Sequence, residues 1–318
     1  MFTHLLVPLD GSPLAECALP HIAALVRDKA SKISLLRVLD PTHASTQPRP
    51  VDPFDWQIRK VEAETYLRSV SSRLEEIGLQ AEPNLVEGKA AETVIEFAAE
   101  QQVDCILLSS HGQSGISGWN VSSVVQKIIL RANRSVLIVR AYDSNPSGLE
   151  GLTYKRILLP LDGSSRAEVV LTAASALAKA HEAEILAVHI VRVPEMPRRT
   201  PPTPEDLELA SQLTERNRVE AARYLDGIQA RLDIPIETRV LVADNVTASL
   251  HRLAESEAID LVILSAHGYS GETKWPYGGV VISFIAFGTT PLLVIQDLPP
   301  DEVEPSRAEL AARELGRR

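Results

Sequence analysis

Cysteine is nearly missing from this sequence: Cys17 and Cys105 are the only two in 318 residues, and both sit inside apolar runs. That excludes a disulfide scaffold, and each thiol reads as a small buried hydrophobe in a reducing compartment, which points to the cytoplasm. Basic residues are also scarce. With 32 Lys and Arg against 42 Asp and Glu, the formal net charge is −10, so an extended phosphate backbone would be repelled and nucleic acid is not an expected partner. Nowhere do apolar residues run far enough to cross a bilayer, and the start, MFTHLLVPLD, has no basic stretch leading into an apolar one. No membrane partner is expected. The eight histidines are scattered without metal-ligand spacing.

What is present is one unit written twice, in a chain longer than a single core usually supports. Residues 5–9 form an apolar run ending at Asp10-Gly11-Ser12, after which Leu14, Cys17, Ala18, His21, Ile22 and Leu25 recur at helical spacing. This predicts a strand, a tight turn and one amphipathic helix capped by Ser12, with Pro13 in its first turn. A second strand is expected over 33–39, a proline-studded irregular stretch over 41–53, a long helix over about 57–77 and a third strand around Leu85-Val86. A helix over 90–100, the strand CILLSS, a glycine-bearing loop, a helix over 124–130 and a strand over 135–140 complete the unit. Then it repeats. Asp162-Gly163-Ser164 follows Asp10-Gly11-Ser12 at an offset of 152, as Ile185 follows Ile33, whereas Gly268 follows Gly112 at 156. Four residues were therefore added between the second strand and the glycine loop. The final strand of the second copy is expected over 291–296. The organisation is a first domain over 1–141, a linker over 142–153, a second domain over 154–296 and a mobile charged tail over 297–318.

Strands alternating with helices predict an α/β protein with parallel sheets covered on both faces, and the arrangement taken here, which the alternation alone does not fix, is two tandem doubly wound five-stranded sheets in the order 3-2-1-4-5. In open sheets of that order a ligand sits beyond the carboxyl ends of the strands, where the winding reverses. Two loops reach that point, SSHGQSGISGWNVSSV over 109–124 and SAHGYSGETKWPYGGV over 265–280. Glycines between strand and helix let backbone N–H groups approach phosphate oxygens, with the helix N-terminus adding partial positive charge. The topology thus brings Asp10 to the turn from Ser109 to Gly112, and Asp162 to the turn from Ser265 to Gly268.

The repeated opening (LLVPLDGS, KRILLPLDGS), the strand-to-loop turns (DCILLSSHG, DLVILSAHG) and the closing strands (SVLIVR, PLLVIQ) resemble the universal stress protein family in its tandem form. The resemblance implies an adenine nucleotide alpha-hydrolase-like fold and binding of ATP or another adenine nucleotide, with Mg²⁺ as a candidate companion. Laid on the family loop G-x2-G-x9-G-[ST], the first half offers Ser109, Gly112, Ser122 and Ser123, and the second Ser265, Gly268, Gly278 and Gly279. By the same resemblance Asp10 and Asp162 face ribose and adenine, the backbone of Val38 and Ile190 reads the adenine edge, and Val124 and Val280 hold phosphate. Pro8, Leu9, Pro160 and Leu161 precede the carboxylates in the same crevices. The resemblance also implies an antiparallel seam between closing strands, here between the two domains, and leaves a homodimer and a regulatory protein partner open.

Serine replaces glycine at Ser109, Ser122 and Ser265, and Ser122 is expected to hinder backbone approach in the first loop while Gly278-Gly279 leaves it open. The expected nucleotide site is therefore chiefly in the second domain. His111 and His267 have no acid nearby in sequence and read as turn-shaping residues, and Trp119 and Trp275 as lid packing. The first loop has no Lys or Arg and the second only Lys274, which favours binding over phosphoryl transfer. Arg198 and Arg199 read as a solvated loop. Three readings stand: a nucleotide-binding sensor or regulator of the stress response, a nucleotide-free interaction scaffold, and a slow ATPase or autophosphorylating protein.

Overall fold

The structure, a computed structural model, describes residues 1–26, 31–41, 52–116, 120–141, 148–149, 151–194, 201–269 and 276–298. The expected lid tryptophans Trp119 and Trp275, Lys274, Arg198, Arg199, most of the proline-studded stretch and of the linker, and the tail beyond 298 lie outside the described residues.

In the first half, β1 (His4–Pro8), β2 (Lys32–Leu39), β3 (Ala81–Glu87), β4 (Cys105–Ser109) and β5 (Ser135–Val139) alternate with α1 (Pro13–Glu16), α2 (Leu19–Leu25), α3 (Pro53–Glu76), α4 (Ala90–Glu100) and α5 (Ser123–Arg131). The second half repeats this with β6 (Arg156–Pro160), α6 (Val170–His181), β7 (Glu184–Val191), α7 (Pro204–Arg231), β8 (Ile236–Val242), α8 (Val246–Ser256), β9 (Leu261–Ser265), α9 (Gly279–Phe287) and β10 (Leu292–Ile295). Each half has the order 3-2-1-4-5, but the two form one ten-stranded sheet, β3-β2-β1-β4-β5-β10-β9-β6-β7-β8. All pairings are parallel except β5 with β10, where Leu137 opposes Leu293 and Val136 opposes Val294.

The closing strands, edges within each half, thus lie at the centre of the sheet, and pairing leaves neither exposed. Their continuous apolar runs are what two-sided cover requires: SVLIV is buried at all five positions. The outermost strands, β3 and β8, carry exposed residues instead. One apolar layer joins the sheet to α2, α3, α6 and α7, and the other joins it to α4, α5, α8 and α9; both run through the two halves.

Side chains tie the halves on both faces. Arg140, only 1% exposed, extends from the end of β5 to α9, where its guanidinium donates to Phe284 O at 2.8 Å. A cation on the last carbonyls of a helix is where the helix dipole favours it. In return the Tyr277 hydroxyl donates to Ile129 O in α5 at 2.9 Å. On the opposite face Tyr154 is buried between His21, whose Nδ1 is 2.7 Å from the hydroxyl, and the edge-packed ring of His181. Burial without a carboxylate lowers the His21 pKa to about 4.

Two local expectations need correction. The single helix expected after Ser12 is two helices, because Pro20 has no N–H to continue the first and instead occupies the opening turn of α2. The long helix begins at Pro53, not near residue 57: Asp52 caps it by accepting from Phe54 N at 2.9 Å, and Pro53 stands where a missing N–H costs nothing.

Candidate functional site

At the carboxyl end of each half-sheet an aspartate joins two loops. Asp162 Oδ1 accepts from Ser164 N at 3.0 Å and from its hydroxyl at 2.6 Å, while Oδ2 accepts from Tyr269 N at 2.6 Å. Asp10 does the same with Ser12 N at 2.9 Å, the Ser12 hydroxyl at 2.6 Å and Gln113 N at 2.5 Å. This fixes why Gly112 and Gly268 are glycine. A Cβ there would lie 2.0 Å from Asp10 Oδ2 or 2.2 Å from Asp162 Oδ2, so the carboxylate would have to leave its bonds. Ser12 in turn caps α1 through Ala15 N, and Ser164 reaches Ala167 N, each at 3.1 Å.

Beside each staple is a cleft. The first, about 450 Å³, is lined by Pro8, Leu9, Asp10, Val38, Ser109, Gly112, Ser122 and Val124 among others. Ser123 is the first-half candidate that does not line it. The second, about 500 Å³, gathers Pro160, Leu161, Asp162, Ile190, Ser265, Gly268, Gly278, Gly279 and Val280, which is every second-half candidate. Both volumes suit a small organic ligand.

The clefts differ in their polar groups. Ser122 and Gly278 have nearly the same backbone, φ −69° ψ 160° and φ −71° ψ 164°, so the serine is unstrained. What it changes is the cap: Ser122 Oγ accepts from Val125 N at 3.3 Å, whereas Gly278 leaves the start of α9 without a side-chain cap. One more first-turn N–H than in the first half is thereby left without a side-chain partner, in residues that line the second cleft. Ser109 Oγ lies 2.6 Å from Leu14 O and 2.7 Å from His111 O, and accepts from Cys17 Sγ. Its counterpart Ser265 Oγ is buried without a hydrogen-bond partner. Finally, Arg192 lines the second cleft, whereas the equivalent position in the first half is Asp40. Sequence reasoning confined to the glycine loops missed Arg192, although its place two residues after Ile190 was the available signal.

The histidines also diverge. His111 Nδ1 is 3.1 Å from the Ser110 hydroxyl, which itself accepts from Ala141 N at 3.0 Å. In the second half Ala266 replaces Ser110 and Asp297 replaces Ala141, and His267 Nδ1 donates to Asp297 Oδ1 at 2.7 Å, with Arg166 3.6 Å from the other oxygen. The absence of an acid near His267 in sequence is thus corrected by the fold: the end of β10 delivers one, fully buried. Among the described residues no group of three or more His, Cys, Asp or Glu could hold a metal, and no helix is long and apolar enough to cross a membrane.

A doubly wound sheet with a strand-to-helix loop at each reversal point defines an open α/β protein with a crevice beyond the carboxyl ends of its strands. The universal stress protein family profile matches residues 1–140 and again 153–296, and the chain belongs to that family. It is 24% identical over 298 residues to a universal stress protein of Mycobacterium tuberculosis, covering 91% of this chain and 95% of the relative. A universal stress protein of Methanocaldococcus jannaschii is 26% identical over 159 residues, 45% of this chain and 98% of the relative. The fold matches the solved universal stress protein of Archaeoglobus fulgidus at a TM-score of 0.62 and 16% identity, covering 93% and 99% of the two chains.

Proposed function

We propose that this universal stress protein binds an adenine nucleotide in its second cleft and acts as a cytoplasmic sensor or regulator of the stress response. The observation that carries this reading is the start of α9, where Gly278 leaves one more N–H without a side-chain partner, in residues that line a cleft also holding Arg192. Open N–H groups and a guanidinium are what an anionic phosphate chain needs. Ser265 Oγ supplies a buried hydroxyl awaiting a partner, and Asp162 is the carboxylate at the edge, suited to sugar hydroxyls. Mg²⁺, if it accompanies the phosphates, would arrive with them. The first cleft, with its serine hydroxyls already engaged, serves as structural support.

The sensing mechanism follows from connectivity. Tyr277 belongs to the loop that ends at Gly278, and its hydroxyl is bonded to the first half. A ligand bound at the start of α9 would therefore stabilise the arrangement at the central seam, and a partner protein would read the shifted population. Isothermal titration with Mg-ATP tests the reading: one site is expected, weakened at least about tenfold by Arg192→Asp. Absence of heat and of a thermal shift at millimolar nucleotide would leave the scaffold reading in its place.

His267 with Asp297 favours one second reading, slow hydrolysis, since a carboxylate-oriented imidazole is a general-base arrangement. Turnover above buffer background that is lost in Asp297→Asn, with nucleotide affinity retained, would support it.

A further inference from the structure

A further cavity of about 420 Å³ lies beside the second cleft on the other face of β7, between that strand's end and α7. It shares His189, Ile190 and Arg192 with the cleft, and the two meet at the turn where Asp162 lines one and Gly163 the other. Two of its lining side chains are His189, whose ring interacts with the Leu161 backbone, and Tyr224, whose buried hydroxyl lies beside Glu168. Their rings pack edge to face, 6.2 Å between centroids.

The first half shows why this passage is open. At the position equivalent to His189 stands Arg37, whose guanidinium lies over the Tyr66 ring at 5.2 Å and close above Gly11, 2.7 Å from where a Cβ would be. His189 is shorter, and only its Cε1, at 3.9 Å, approaches the matching point at Gly163. The exchange of arginine for histidine uncovers the turn.

Chemistry selects the occupant. Burial lowers the His189 pKa, against the smaller opposing effects of Asp162 and of a hydrogen bond to the Leu161 backbone, so the ring faces the cavity as a neutral group rather than a cation. Glu220 lines the cavity, and Glu168 lies near enough to Tyr224 to add to the effect of burial in raising its pKa. Two carboxylates disfavour a second anionic group and suit a neutral ring bearing hydroxyl or amide groups. Arg192, common to both cavities, is placed for phosphates between two such rings.

We propose that this cavity is a second subsite, and that the second domain takes a dinucleotide: one nucleoside in the cleft, the bridging phosphates past Arg192, the distal nucleoside against His189 and Tyr224. The proposal rests on the reading of the cleft as an adenine-nucleotide site. Titration calorimetry of the full chain with ATP and with diadenosine tetraphosphate tests it. The dinucleotide is expected to bind at least about tenfold more tightly than ATP. Asn217→Trp, at an exposed position of α7 that lines only the further cavity, should abolish that advantage and leave ATP affinity unchanged; Tyr224→Phe should reduce it severalfold. Near-ultraviolet circular dichroism verifies that both variants are folded. Equal affinity for the two probes would overturn the subsite while the nucleotide reading stands, silence with both would overturn both, and an advantage that survives Asn217→Trp would overturn the location.

Discussion

The two halves share a scaffold and differ in what they leave unfinished. Both have an aspartate staple, a glycine that makes room for it and the same strand order. Asp104 accepts from the start of β1 through Thr3 N at 2.7 Å, and Asp260 from that of β6 through Lys155 N at 2.6 Å. In the first half the serine hydroxyls of the loop and helix start are used up internally, and Arg37 covers the turn. In the second the hydroxyl of Ser265, the start of α9 and the turn at Gly163 are open. In the proposed reading, a duplicated domain assigns one copy to support and the other to a ligand through a few positions, with the strand order unchanged.

The most disruptive way to probe this comparison is at the seam. Leu293 is fully buried opposite Leu137, so Leu293→Ala should cost about 3 kcal/mol. Because the core layers are continuous, urea unfolding should remain one transition; two transitions would mean that the halves are separate bodies.

Next in size is a pH effect confined to one copy. His21 has its counterpart in Ala173, and its pKa falls from 6.5 to about 4 on folding. The unfolded chain therefore binds more protons between those values. Its stabilising contribution is complete above pH 6.5, declines as pH falls, and has lost about 3 kcal/mol by pH 4. His21→Asn should flatten that part of the stability profile relative to the parent; an unchanged slope would remove His21 from the seam's pH response.

Smaller again are the staple glycines. Gly112→Ala and Gly268→Ala should each cost about 2 kcal/mol by displacing the carboxylate, and nearly equally, since the clashes are alike. Denaturant midpoints measure this, and a large inequality would show that one staple is dispensable.

The finest test exchanges the caps. At Gly278 an added Cβ meets Ala266 O at an ordinary 3.6 Å, so Gly278→Ser should change stability by only a few tenths of a kcal/mol. Nucleotide affinity should nevertheless fall severalfold, because the hydroxyl would take an N–H from the ligand, and Ser122→Gly should not create a tight site while Asp40 stands where Arg192 would. Calorimetry on both variants reads this, and unaltered affinity in Gly278→Ser would remove the open cap as a determinant.

The sequence was informative where chemistry is local. Continuous apolar runs such as CILLS announced buried strands, Asp-Gly-Ser announced a turn with a cap, and constant offsets announced a duplication. Helix boundaries at Pro20 and Pro53 were less legible, since proline both ends a helix and begins one. The acid beside His267 was hidden because it lies thirty residues away on the far side of α9 and β10. Arg192 was hidden because the cleft is closed by the end of a strand other than the one that leads into the glycine loop.

By itself, then, the sequence determined the strands, the duplication and the glycine loop after the fourth strand of each copy, because these depend on periodicity and on backbone preferences a few residues long. Tertiary structure alone decided the order of winding and so where the glycine loops meet the aspartates, that Arg140 of the first half closes a helix of the second, and which polar groups remain unbonded. Those outcomes depend on which distant atoms come within hydrogen-bonding reach, and no pattern along the chain carries that distance.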